Sequence, residues 1–128
     1  GASAKHDISV PVSLLPNFLK RTEKAILRAF KDIKICAFGH LGDGNIHYNL
    51  NQPPNIEGKL FLAKRQKLNK IVHDIAFNLG GSISAEHGIG QLKRDELPHY
   101  KSAEAVDLMH SIKSTLDPNQ IMNPGKIL

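Results

Sequence analysis

The sequence has no tryptophan, one cysteine, and aromatic residues at only 5% of its length. The single thiol, Cys36, excludes an internal disulfide and fits a reducing compartment. Set in the apolar run of residues 33–38, it is expected to be a small core residue. No uninterrupted apolar stretch reaches the roughly 20 residues of a membrane-spanning helix, and no basic-then-apolar leader opens the chain. A chain with no transmembrane segment and a cytoplasmic location are therefore expected. Basic residues interleaved with aromatics, the usual stacking platform of nucleic-acid binders, are also lacking. The net charge of +5 is read as solvated helix faces, or as a field welcoming a small anion. Lys59, Lys64, Arg65, Lys67 and Lys70 gather on one expected helix, but charge alone supports a nucleic-acid role there, and no such partner is expected.

What is present suffices for one compact domain, since 128 residues with 41% apolar content can bury a core. Gly1-Ala2-Ser3, without a methionine, reads as a remnant of cloning, and the chain is taken as a piece of something longer. Residues 5–12 alternate polar and apolar as a strand. Ser13 then caps a helix carrying Leu14, Leu15, Phe18, Leu19, Ala25, Ile26, Ala29 and Phe30 at helical spacing, with Pro16 tolerated in its first turn. Residues 33–40 and 46–51 alternate as two further strands. Leu60, Phe61, Leu68, Ile71, Val72, Ile75, Ala76 and Leu79 mark one long helix that Gly80-Gly81 stops. Residues 82–85 read as a brief fourth strand. The order β-α-β-β-α-β predicts an α+β, ferredoxin-like domain with an antiparallel sheet. Helical stretches over 89–97 and 103–116 and a Pro-containing tail over 117–128 follow it.

Asp43-Gly44 between two alternating runs is a hairpin signal, because a two-residue type I′ turn needs positive φ at both positions. Centring the turn there pairs His40 with His47 and Phe38 with Asn49. It also places Gly39, Leu41, Ile46, Tyr48 and Leu50 on the opposite, core face. Directly opposed Cβ atoms stand roughly 4.5–5.5 Å apart, close enough for two imidazoles to reach one ion. The same spacing suits a hydrated cross-strand pair that binds nothing. Residues 82–90 run from the fourth strand through Glu86-His87 into a glycine-rich turn. These two residues could form a site, or be an exposed carboxylate and a helix cap. His6, His73, His99 and His110 have no comparable neighbours and are set aside as structural or exposed.

Three motifs share one order: Gly39-His40-Leu41-Gly42-Asp43-Gly44-Asn45-Ile46-His47-Tyr48-Asn49, then Ser84-Ala85-Glu86-His87-Gly88-Ile89-Gly90, then Asn123-Pro124-Gly125-Lys126. Together they resemble the C-terminal signature of FAD-linked oxidases acting on lactate, glycolate or D-2-hydroxyglutarate, over residues 5–128. The resemblance implies that His40, His47 and Glu86 bind zinc or manganese and that Asn49 and His87 face the substrate. It further implies that Asn123 contacts the flavin, although Asn123 also reads as an ordinary turn residue. The implied reaction oxidises a D-2-hydroxy acid to the 2-oxo acid, with His87 as general base and FAD as hydride acceptor.

In such proteins an N-terminal domain holds the FAD, and further substrate-binding basic residues lie upstream. By itself this chain is thus expected to be inactive, and self-association into a homo-oligomer would follow from apolar surface that the missing domain covers. The intact enzyme would be cytoplasmic or peripheral to the inner membrane. Ferredoxin-like strand order puts the first strand between the fourth strand and the hairpin, so Glu86 joins the histidines by resemblance alone. The competing function is a ferredoxin-like module that binds a metal or an anion without chemistry.

Overall fold

The computed structural model describes residues 1–128. Its elements are β1 (Ser3–Ser9), α1 (Leu15–Ala29), β2 (Lys34–His40), β3 (Asn45–Asn51), α2 (Gly58–Ala63), α3 (Arg65–Asn78), α4 (Leu97–Tyr100) and α5 (Ala103–Leu116). They fall into two compact units, Gly1–His87 and Gly88–Leu128.

In the first unit the strands form an antiparallel sheet ordered β1-β3-β2. Strand alternation sends Ala4, Ile8, Ile46, Tyr48 and Leu50 to one face. There they meet Phe18 and Ile26 of α1, Phe61 of α2, and Leu68, Val72 and Ala76 of α3. The spacing of Leu15, Phe18, Thr22 and Ile26, all buried, turns one stripe of α1 toward that core. Phe18 meets Tyr48 edge-to-face with centroids 5.6 Å apart, and burial, then Glu23, pushes the Tyr48 phenol up from its usual range. The histidines set aside at positions 6 and 73 also lie in this interior, edge-to-face at 5.5 Å. His6 Nδ1 meets the Tyr48 carbonyl oxygen at 2.7 Å and Nε2 meets Asn69 Oδ1 at 3.0 Å.

Several expectations change. Ser13 does not cap α1; it lies inside a 3-10 turn over Val12–Leu14, with Leu14 before the helix and no side-chain cap. Leu14 N–H donates to the Pro11 carbonyl instead, at 2.8 Å. The long helix breaks at Lys64 into α2 and α3. Cys36 is exposed, not core, because β2 is the edge strand and position 36 falls on the polar face opposite Asn49.

The fourth strand shrinks to a single bridge between Ser9 and Ser82. The Ser82 hydroxyl donates to the Ser84 carbonyl at 2.9 Å and accepts the Ser84 N–H at 3.2 Å. That local turn takes the groups a longer ladder would need. Gly81 is squeezed where a Cβ would stand 2.0 Å from the Ser9 carbonyl oxygen.

In the second unit the helix expected over 89–97 is absent. Gly88 and Gly90 take φ of 75° and 56°, left-handed values that no α-helix continues through. Only a 3-10 turn at Arg94–Glu96 and the short α4 follow. α5 is as expected, capped by Ser102 Oγ accepting from Ala105 N–H at 3.3 Å. Below it, buried Asp117 accepts from the Lys113 ammonium and from the N–H groups of Ile121 and Met122, each at 3.0 Å. No helix is long and apolar enough to cross a membrane.

Two stability outcomes follow. Gly81→Ala should cost at least about 2 kcal/mol in denaturant unfolding, whereas Gly42→Ala, with nothing within 4 Å of its added Cβ, should stay within about 0.5 kcal/mol of the parent. The Lys113 hydrogen bond, with the Met122 and Ile121 amides, holds the Asp117 carboxyl below its ordinary value of 3.8, against the opposing effect of desolvation. A depressed carboxyl stabilises the folded state fully above its unfolded value, and that contribution is lost as pH falls through the lower folded value. Hydrogen-exchange protection at Ile121 and Met122 should therefore fall below pH 3.8, and Asp117→Asn should flatten the dependence.

Candidate functional site

Because α1 and α3 cover one face of the sheet, the polar residues of alternate positions gather on the other. The hairpin sets who meets whom, and its register differs from the expected one. Residues Leu41–Asp43 form a 3-10 turn that Gly44 closes at φ 68°. Asp43 does not take the positive φ a type I′ turn requires. The loop is held from outside as well, since Gly44 carbonyl accepts from Val10 N–H at 2.9 Å. His40 therefore pairs with Asn45, and Phe38 with His47. This is a slip of two residues, which keeps every side chain on its expected face. Leu41, expected in the core, is exposed in the turn.

His40 and His47 are thus diagonal rather than opposed, a spacing of roughly 7–8 Å between Cα atoms. Glu86 occupies the gap. His40 Nε2 lies 3.5 Å from Glu86 Oε1, and His47 Nε2 lies 3.9 Å from Glu86 Oε2. Asn45 Nδ2 donates to the same Oε1. The three residues carried over as metal ligands are therefore brought together, although strand order alone did not imply it.

Asp7 explains how. In β1 it pairs with His47 of β3, and its side chain is 3% exposed. Its Oδ2 accepts the successive N–H groups of Ala85, Glu86 and His87 at 3.2, 2.9 and 2.8 Å. The chain leaving the Ser9–Ser82 bridge is thereby folded over β1 and onto the histidine face. The imidazole of His87 stacks on that of His47, with centroids 5.5 Å apart and planes 24° apart. Phe38 also lies against His47, with ring centroids 5.1 Å apart.

Asn49 is half-buried on the same face, two residues beyond His47 and between Lys5 and Cys36 in register. Asn123 belongs to the second unit, where it is exposed at φ 45° and its carbonyl accepts from Lys126 N–H at 3.2 Å. A cavity of about 360 Å³ in that unit is lined by Arg94, Leu97, Val106 and His110 among others, and by none of these site residues.

Sequence reasoning missed Asp7 and Asn45. The signal for Asp7 was available: ferredoxin-like order puts β1 beside β3, so the polar parity of β1 had to face that of the hairpin. The trio Asp7, His47 and His87 has ligand-type atoms all within 4.8 Å of one another, so His47 belongs both to it and to the grouping with His40 and Glu86. Ligands about 2.0–2.2 Å from a shared ion stand roughly 3–3.6 Å apart at tetrahedral or octahedral angles. His40 Nε2 and His47 Nε2 each approach a different oxygen of Glu86, at 3.5 and 3.9 Å, and the nitrogen-and-carboxylate donor set suits zinc or manganese.

The family model described as FAD linked oxidases, C-terminal domain, matches residues 1–127. D-2-hydroxyglutarate dehydrogenase of Stutzerimonas stutzeri is 43% identical over 123 residues, which are 96% of this chain and 26% of that protein. Glycolate oxidase subunit GlcD of Bacillus subtilis is 36% identical, covering 94% of this chain and 25% of its own length. D-lactate dehydrogenase of Anaerostipes hadrus is 37% identical with the same coverage. The chain thus spans about a quarter of the length of the curated relatives it matches. By its α+β fold and by a family match reaching from end to end, it belongs to the FAD-linked oxidases and corresponds to their C-terminal domain.

Proposed function

We propose that the chain is the metal-bearing, substrate-facing part of a flavin-dependent dehydrogenase that converts a D-2-hydroxy acid to the 2-oxo acid. The observation that carries this reading is the approach of His40 Nε2 and His47 Nε2 to the two oxygens of Glu86, at 3.5 and 3.9 Å. Its relatives, named for hydroxyglutarate, glycolate and lactate, support the substrate class.

His40, His47 and Glu86 would hold zinc or manganese and leave coordination positions open. An ion there would supply Lewis acidity to the hydroxyl of a 2-hydroxy acid. His87, its side chain 67% exposed, has room to receive the hydroxyl proton at Nε2. The Asn49 amide offers a hydrogen bond to the substrate carboxylate. Phe38, its ring against that of His47, offers an apolar surface at the edge of the site. FAD, held mainly by the rest of such a protein, supplies the two-electron acceptor for the hydrogen on Cα. In the second unit, Asn123 presents an exposed amide suited to a hydrogen bond with the flavin ring. With no helix able to cross a membrane, an association of this segment with the inner membrane would be peripheral.

Metal uptake tests the assignment on the 128-residue chain itself. Zinc or manganese binding followed by calorimetry should be lost in His40→Ala and in His47→Ala, and undiminished binding in both variants would sink the metal site. In a flavoprotein carrying this segment, His87→Gln should retain the metal while kcat falls by about 10²- to 10⁴-fold, the usual worth of a general base. Loss of metal together with activity would move His87 from base to ligand.

A further inference from the structure

We propose that Asp7 is the positioning residue of this site: it fixes the backbone that presents Glu86 and His87, and holds His47 and His87 in the tautomer that leaves Nε2 open. The inference rests on the metal-site reading above and assigns Asp7 a role beside the ligands, not among them.

Three observations converge on it. A carboxylate is acceptor-only, and one buried this deeply is tolerated only where donors surround it. Its Oδ2 meets three consecutive amide N–H groups between 2.8 and 3.2 Å, an anion-holding concavity of backbone dipoles. Those amides belong to Ala85, Glu86 and His87, the segment that carries the carboxylate ligand and the base, so one side chain sets where both project. Second, each imidazole turns its Nδ1 toward Asp7: His47 Nδ1 is 3.8 Å from Oδ1 and His87 Nδ1 is 3.7 Å from Oδ2. These separations exceed a direct hydrogen bond, so Asp7 acts on the rings through its charge, favouring the proton on Nδ1. Third, His47 turns its other nitrogen, Nε2, toward Glu86. A ligand histidine whose remote nitrogen faces a carboxylate is oriented and made a better donor by it.

The alternative places the ion among Asp7, His47 and His87. Oδ2 is engaged by three amides, which ties Asp7 to the backbone it positions, while Oδ1 faces His47 Nδ1 at 3.8 Å, and the alternative becomes an outcome of the test.

The test uses Asp7→Asn in the 128-residue chain, since asparagine keeps an oxygen for the amides while removing the charge. Long-range ¹⁵N–¹H spectra of the metal-free parent should show Nδ1–H on both His47 and His87, and the variant should show mixed tautomers. Zinc affinity should fall by about 10- to 100-fold, the usual effect of losing a residue that orients a ligand. Nε2–H tautomers in the parent, or identical spectra and affinity in the two chains, would overturn the proposal. So would complete loss of uptake in Asp7→Asn combined with normal uptake in His40→Ala and Glu86→Gln, which would make Asp7 a ligand. If the variant fails to fold, the parent spectra alone decide. A parent that shows Nδ1–H tautomers but takes up no zinc defeats the metal reading and leaves the tautomer assignment standing.

Discussion

Asp7 carries a carboxylate into a setting where an uncompensated charge would be costly, and the amides of Ala85, Glu86 and His87 compensate it. Much of the first unit can be read from that constraint. The segment after Ser82 does not continue as a ladder strand: the Ala85 amide is shared between the Asp7 carbonyl and its carboxylate, and the Glu86 and His87 amides turn to the carboxylate. It arches over β1, and Glu86 arrives beside His47, one strand further into the sheet, and His40, two strands further. The helices contribute indirectly, by filling one face and leaving the other for polar groups.

Local chemistry and long-range contact divide the hairpin between them. Asp43-Gly44 does make a turn, and glycine does supply the left-handed residue. The Val10–Gly44 hydrogen bond favours a longer loop than the dipeptide alone suggests. Because the slip is even, face and function survive the change of partner. An odd slip would have put the two imidazoles on opposite faces of the sheet.

Periodicity made the α+β class, the core of α1 and α3, the two long hairpin strands and α5 legible from sequence. It failed where one group's partner lay far away in the chain. Ser13 loses its capping role to a Pro11-anchored turn, Cys36 is exposed because an edge strand has no cover at that position, and the fourth strand yields to the Ser82–Ser84 turn. For the site, His40, His47 and Asn49 could be placed on one face by alternation alone. Glu86 required the family resemblance. Asp7 could have been found by combining strand order with strand parity, since neither signal identifies it separately.

The pairing of β1 has one more consequence. Its inner edge faces β3 and its outer edge is taken by Ser82 and Ala85, so the remaining main-chain capacity of the sheet lies along β2. A strand joining the sheet there would align its alternate residues with Cys36, Phe38 and His40. Growth of the sheet and enlargement of the histidine face are, in this architecture, the same event.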